Sequence, residues 1–172
     1  MIRSIFKIAV NFLFFISLQV LLLNSLHLFR VTTLFLYVYV IIKIPINITR
    51  SQTIFISFLL GLIIDMFTNT LGMHAAACAL AGFFREPLMK AYTEREIPEE
   101  GIPSSRHLGQ GAYIRLVLSL VILHHVALFL IESLSLFDPL FLTLRIVTSV
   151  ILTSLCIFIL ESFTIFRKHE TA

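Results

Sequence analysis

The sequence predicts an all-α, polytopic membrane protein whose single integral domain, residues 1–172, is a six-helix transmembrane bundle. Three observations carry that expectation. The chain is 58% hydrophobic and 13% charged, whereas soluble domains run near about 45–50% and about 25% respectively. Apolar runs follow one another at close to spanning length, a hydrocarbon core of about 30 Å needing about 20 residues of helix. Basic residues, finally, fall on alternate connections between those runs, as the positive-inside rule requires.

The first span covers residues 5–29. Arg3 and Lys7 precede it as they would a signal peptide, yet the apolar stretch continues to Phe29 without a small-residue cleavage site, so it reads as an uncleaved helix. The second span covers 31–46, the third 53–67 and the fourth 71–88. The third has only about 15 residues before Thr68-Asn69 and reaches roughly 22 Å, while the fourth is rich in small side chains. Full crossings and a re-entrant hairpin both fit this pair, and both leave the termini on one side. The fifth span covers 113–133 and the sixth 140–166. Between the fourth and fifth, residues 89–112 form a polar loop in which Glu94, Glu96, Pro98, Gly101 and Pro103 break any hydrophobic periodicity. It serves either as a solvated connector or as a contact loop.

In this arrangement Arg3, Lys7, Lys43, Arg50, Arg85, Lys90, Arg95, Arg106, Arg115, Arg167 and Lys168 share one side, and of the 13 basic residues only Arg30 and Arg145 lie toward the other. Both termini and the 89–112 loop are therefore expected in the cytoplasm, N-in and C-in. The net charge of +3 does not point to nucleic acid, because the cations are scattered instead of forming a stripe with interleaved aromatics. Lipid is the expected surrounding. Cys78 and Cys156 sit inside apolar runs, where neither a disulfide nor a metal site is expected.

Charged groups in hydrocarbon cost about 2.5–3.5 kcal/mol each even on a lenient insertion scale, so each asks for a partner or an interfacial position. Asp65, His74, Glu132 and Arg145 all fall in the periplasmic third of their spans. Arg145 is expected either to neutralise Asp65 or Glu132 or to snorkel to the interface. In the fourth span, small residues recur at four-residue intervals, among them Gly72/Ala76, Ala75/Ala79 and Cys78/Gly82. Such a face lets helix backbones approach closely, here within the monomer or against a partner. Asn11, Gln19, Asn24, His124, His125 and Glu161 read as interhelical hydrogen-bond groups. Adjacent His124 and His125 leave a helix in different directions and cannot chelate from one face. HExxH, GxSxG, Walker A, GxGxxG and CxxC are lacking, so no catalytic, cofactor-binding or metal-binding residue is assigned and no enzyme is expected.

The segment Leu59-Leu60-Gly61-Leu62-Ile63-Ile64-Asp65-Met66-Phe67, followed by Leu71-Gly72-Met73-His74-Ala75, resembles the rod shape-determining protein MreD family. Gly61, Asp65, Gly72 and His74 match its Gly-Leu-x-x-Asp segment, short polar turn and Gly-x-His. The resemblance implies a bundle similar to the substrate-binding subunits of energy-coupling-factor vitamin transporters. It also implies a non-catalytic inner-membrane scaffold of the cell-wall elongation machinery. Such a scaffold binds MreC and couples MreB filaments, indirectly, to a RodA-type glycosyltransferase and a penicillin-binding transpeptidase. The fold similarity supplies a rival, the substrate-binding subunit of a small-molecule uptake transporter, with Asp65, His74, Glu132 and Arg145 lining a pocket open to the periplasm. Residues expected to hold structure or contacts are Gly61, Asp65, Gly72, His74, Ala75, Ala79, Gly82, Glu132 and Arg145.

Overall fold

The structure, a computed structural model, describes residues 14–19, 32–70, 72–94, 97, 100–133 and 138–169, with residues 164–169 by their backbone alone. Most of the expected first span lies outside the described residues, as do Arg3, Lys7, Asn11, Asn24, Arg30, Arg95 and the side chains of Arg167 and Lys168. The described part is all helical in its regular elements: α1 (residues 14–18), α2 (Val38–Ile42), α3 (Arg50–Thr68), α4 (Met73–Tyr92), α5 (Ser105–Leu108), α6 (Gln110–Glu132) and α7 (Pro139–His169). Three helices are long and apolar enough to cross a membrane, at Arg50–Thr68, Gln110–Glu132 and Pro139–Phe163. That places the chain among multi-pass membrane proteins.

Burial is distributed as hydrocarbon solvent would require. Met66, Phe67, Leu140, Ile151 and Phe163 are each more than 60% exposed, whereas Gln19, Thr53, Ser57, Asp65, Arg85, His124, His125, Thr153 and Glu161 are buried. A water-soluble protein does the reverse, keeping charged and amide groups out and large apolar ones in.

Expected elements and observed ones differ most at the second span. Residues 33–35 are not helical, and α2 is a single short turn of five residues, all of them buried. Residues 34–45, all but Lys43 buried, are enclosed by protein, so their apolar character does not mark a spanning helix. Non-helical backbone at membrane depth needs its polar groups satisfied by protein, and here side chains do it. Thr33 N–H donates to Ser149 Oγ (3.0 Å), Phe35 N–H donates to Thr153 Oγ1 (3.4 Å), and Gln19 Nε2 donates to the Leu34 carbonyl (2.9 Å).

The expected third span of about 15 residues is instead a helix of 19, and its partner has 20, so each reaches roughly 28–30 Å. Two sequence signals account for the added length. Thr49 and Gln52 close a capping box, with Gln52 N–H on Thr49 Oγ1 at 3.4 Å and Thr49 N–H on Gln52 Oε1 at 3.1 Å, so α3 starts at Arg50. At the far end α4 continues past Leu88 because Met89 is buried and Tyr92 Oη bonds Ser119 Oγ on α6 at 2.8 Å. The 89–112 loop is correspondingly shorter. It docks on the turn after α2, where Ile46 N–H donates to the Gly101 carbonyl (2.9 Å) and Lys43 Nζ to that of Pro103 (2.8 Å).

Pro87 lies within α4 and cannot donate to the Phe83 carbonyl four residues back. Arg50 Nε donates to that carbonyl at 3.3 Å while its guanidinium sits 4.0 Å from the Phe83 ring centroid. Contacts of this kind gather Lys43, Arg50, Arg85, Lys90 and Arg115 at one end of the helices. The α3–α4 turn and the Glu132–Arg145 pair lie at the other.

Candidate functional site

The α3–α4 turn is built from residue types that only work together. Asn69 ends α3 in the left-handed region (φ 55°) and Gly72 opens α4 there as well (φ 77°), a conformation glycine adopts without the Cβ penalty. Between them the chain reverses tightly enough for Asp65, one turn before the end of α3, to reach the start of α4. Asp65 Oδ1 accepts the His74 backbone N–H at 3.1 Å, Oδ2 accepts that of Ala75 at 2.8 Å, and the Thr70 hydroxyl also donates to Oδ1. A helix begins with unsatisfied N–H groups and a partial positive charge. The carboxylate answers both from the preceding helix, where a cap normally comes from the residue just before.

Gly61 lies one turn further back on α3 and meets the same stretch of α4. A Cβ there would lie within contact of the His74 carbonyl and 2.6 Å from Ala75 Cα, both of them backbone. At Gly82 a Cβ would stand 2.6 Å from Ser57 Oγ and 2.9 Å from Ser57 Cβ. The small-residue face of α4 is thus spent inside the monomer: Ala75, Ala77, Cys78, Ala81 and Gly82 are buried against neighbouring elements, while Ala76 is exposed and Ala79 half-buried.

From this turn a polar chain enters the core. The Tyr37 hydroxyl oxygen lies 2.7 Å from His74 Nδ1 and 3.0 Å from His124 Nε2. One hydroxyl carries one proton, so Tyr37 donates to one imidazole and accepts from the other. His124 Nδ1 finds no partner among the described residues. His125 turns away, with Nδ1 at 2.8 Å from the Val121 carbonyl and Nε2 at 3.2 Å from Thr153 Oγ1. Tyr37, His124 and His125 are all fully buried.

Of the two carboxylates expected for Arg145, Glu132 is the one it meets, Nη1 to Oε1 at 2.9 Å, with the guanidinium 4.5 Å from the Phe129 ring centroid. Asp65 is occupied by the turn. At the opposite end Lys43 Nζ lies 2.6 Å from Glu161 Oε2, and the hydroxyls of Tyr39 (3.2 Å) and Tyr113 (3.1 Å) donate to the same oxygen.

Gly61, Asp65, Gly72, His74 and Ala75 thus converge on one turn, Gly82 and Ala79 lie further along α4, and Glu132–Arg145 forms a separate contact. Tyr37, Lys43, Ser149 and Thr153 were not singled out for these roles by sequence. The α7 residues left a signal: Ser149, Thr153, Ile157 and Glu161 recur every four residues and all are buried on one face. Among the described residues no group of three or more His, Cys, Asp or Glu side chains is placed to hold a metal ion. No family model matches the chain, and no curated protein or solved structure shows significant similarity to it.

Proposed function

We propose that the chain is a non-catalytic scaffold of the bacterial cell-wall elongation machinery, held in the inner membrane with both termini cytoplasmic and binding MreC through its α3–α4 hairpin. A RodA-type glycosyltransferase, a penicillin-binding transpeptidase and, indirectly, MreB belong to the same assembly. The observation that carries this reading is the joint role of Gly61, Asp65, Gly72 and His74. These four residues bear the resemblance to the MreD family, and they interlock in one turn with a structural purpose for each.

The turn makes α3 and α4 a single rigid unit and leaves Leu62, Met66, Ala76, Leu80 and Phe83 facing outward. A rigid apolar face with a small residue among large ones suits helix-to-helix docking in lipid, where close packing supplies the association energy. The uptake-subunit alternative asks for a pocket at the Asp65 end. A cavity of about 650 Å³ lined by described residues lies instead at the other end, between the residue 46–50 turn and the last turns of α4.

The test is recovery of partners from detergent-solubilised native membranes with tagged wild type and the Ala79→Leu variant. Ala79 is half-buried on the hairpin, so added bulk perturbs its surface and spares the Asp65 turn. MreC and the elongation synthases should co-purify with wild type and fall with Ala79→Leu at equal abundance. Recovery of a transporter ATPase pair instead would refute the scaffold.

A further inference from the structure

The cavity at the basic end of the bundle is walled by three cations, Arg50, Arg85 and Lys90, and one carboxylate, Glu86. Glu86 is already engaged, its Oε1 lying 2.6 Å from Lys90 Nζ. Neither guanidinium has an ion-pair partner among the described residues. Arg50 spends one N–H on the Phe83 carbonyl. Arg85 is more unusual. It is 2% exposed, its one hydrogen bond is from Nη2 to the Ile44 carbonyl, and its Nε has no partner among the described residues.

A buried cation with no carboxylate at ion-pair distance is costly, because neutral hydrogen bonds do not replace the lost hydration. The same wall contains the start of α3, where the capping box already holds the Gln52 N–H and leaves those of Arg50 and Ser51, with the positive dipole end, to favour an anion. Two independent features, a buried under-satisfied guanidinium and a helix N-terminus, thus face one space. Ile46, Met89 and Ile97 supply its apolar walls, and the volume falls within the range of about 300–1,000 Å³ usual for ligand pockets.

We propose that this cavity binds the phosphate of an anionic phospholipid headgroup, with Arg85 and Arg50 as the recognising cations. Arginine pairs with phosphate through paired N–H donors, and basic pockets between membrane helices on the cytoplasmic side favour such headgroups. The apolar walls select a lipid over a free ion. The proposal rests on membrane embedding and not on the scaffold reading, so either can fail alone.

The test is native mass spectrometry of the full chain released from micelles containing phosphatidylglycerol, phosphatidylcholine, or phosphatidylcholine with millimolar inorganic phosphate. Both lipids carry the phosphodiester, so the readout is headgroup charge: wild type should retain phosphatidylglycerol about tenfold over phosphatidylcholine, whose choline ammonium is repelled by the three lining cations. Arg85→Gln should bring the two lipids to parity and Arg50→Gln should narrow the difference. If Arg85→Gln does not fold, Arg50→Gln decides. Arg106→Gln, at an exposed cation that does not line the cavity, should leave the preference intact. Parity in wild type, or an equal loss in Arg106→Gln, overturns the proposal, as does inorganic phosphate binding without any lipid preference.

Discussion

Removing the Asp65 carboxylate should unlatch the α3–α4 turn, and the loss can be worked out bond by bond. Asp65→Ala leaves the buried N–H groups of His74 and Ala75 without acceptors and frees the Thr70 hydroxyl. A buried donor left unsatisfied costs about 1–3 kcal/mol, so the two backbone groups account for roughly 2–6 kcal/mol. Loss of negative charge at the α4 N-terminus adds about 0.3–1 kcal/mol. Hydrogen bonds between membrane helices average only about 0.6 kcal/mol, so three of them set a floor of roughly 2 kcal/mol. Asp65→Asn retains one acceptor oxygen and turns the other into a donor facing an N–H, so it should fall between wild type and alanine. Reversible unfolding in mixed micelles, followed by circular dichroism, gives the order wild type, Asn, Ala. An alanine variant within about 0.5 kcal/mol of wild type, the scatter expected at an unimportant surface site, would refute the latch.

Gly61→Ala should cost about 1–3 kcal/mol, because its Cβ meets unyielding α4 backbone. Gly72→Ala, where a Cβ meets nothing within 4 Å, should cost only the left-handed strain of about 1–2 kcal/mol; thermal melts of the two variants check the ranking. Lys43→Met leaves Glu161 buried without its cation and should lose about 3–5 kcal/mol, whereas Lys43→Met with Glu161→Leu should recover much of it, as read by a double-mutant unfolding cycle. Arg145→Ala should cost less than about 1 kcal/mol, since the Glu132 side chain is 38% exposed and solvent screens the pair. A coupling energy well above that in an Arg145–Glu132 cycle would show the pair to be shielded by lipid.

The α3–α4 hairpin was legible because its determinants are local. Gly61, Asp65, Gly72 and the four-residue spacing of small side chains through Gly82 all lie within about two helices' length of one another. The 33–46 stretch was not legible as a short buried helix with irregular flanks, since an enclosed segment and a spanning one have the same apolar composition. What distinguishes them is the supply of hydroxyls from Ser149 and Thr153, 116 and 118 residues away. Lys43 and Arg85 announced themselves only as charges that mark a membrane side. Their separate fates, one paired with Glu161 and the other walling a cavity, depend on which helices become neighbours.

Synthesis proceeds from the amino terminus, and the borrowed hydroxyls that serve residues 33–35 therefore impose an order of assembly. When that stretch leaves the ribosome, the helix carrying Ser149 and Thr153 does not yet exist, and its bare amide groups cannot rest in hydrocarbon. The early chain must wait, at the headgroup layer or beside the insertion machinery, until α7 arrives to admit it. A helix made more than a hundred residues later is in this sense the one that completes the earlier stretch.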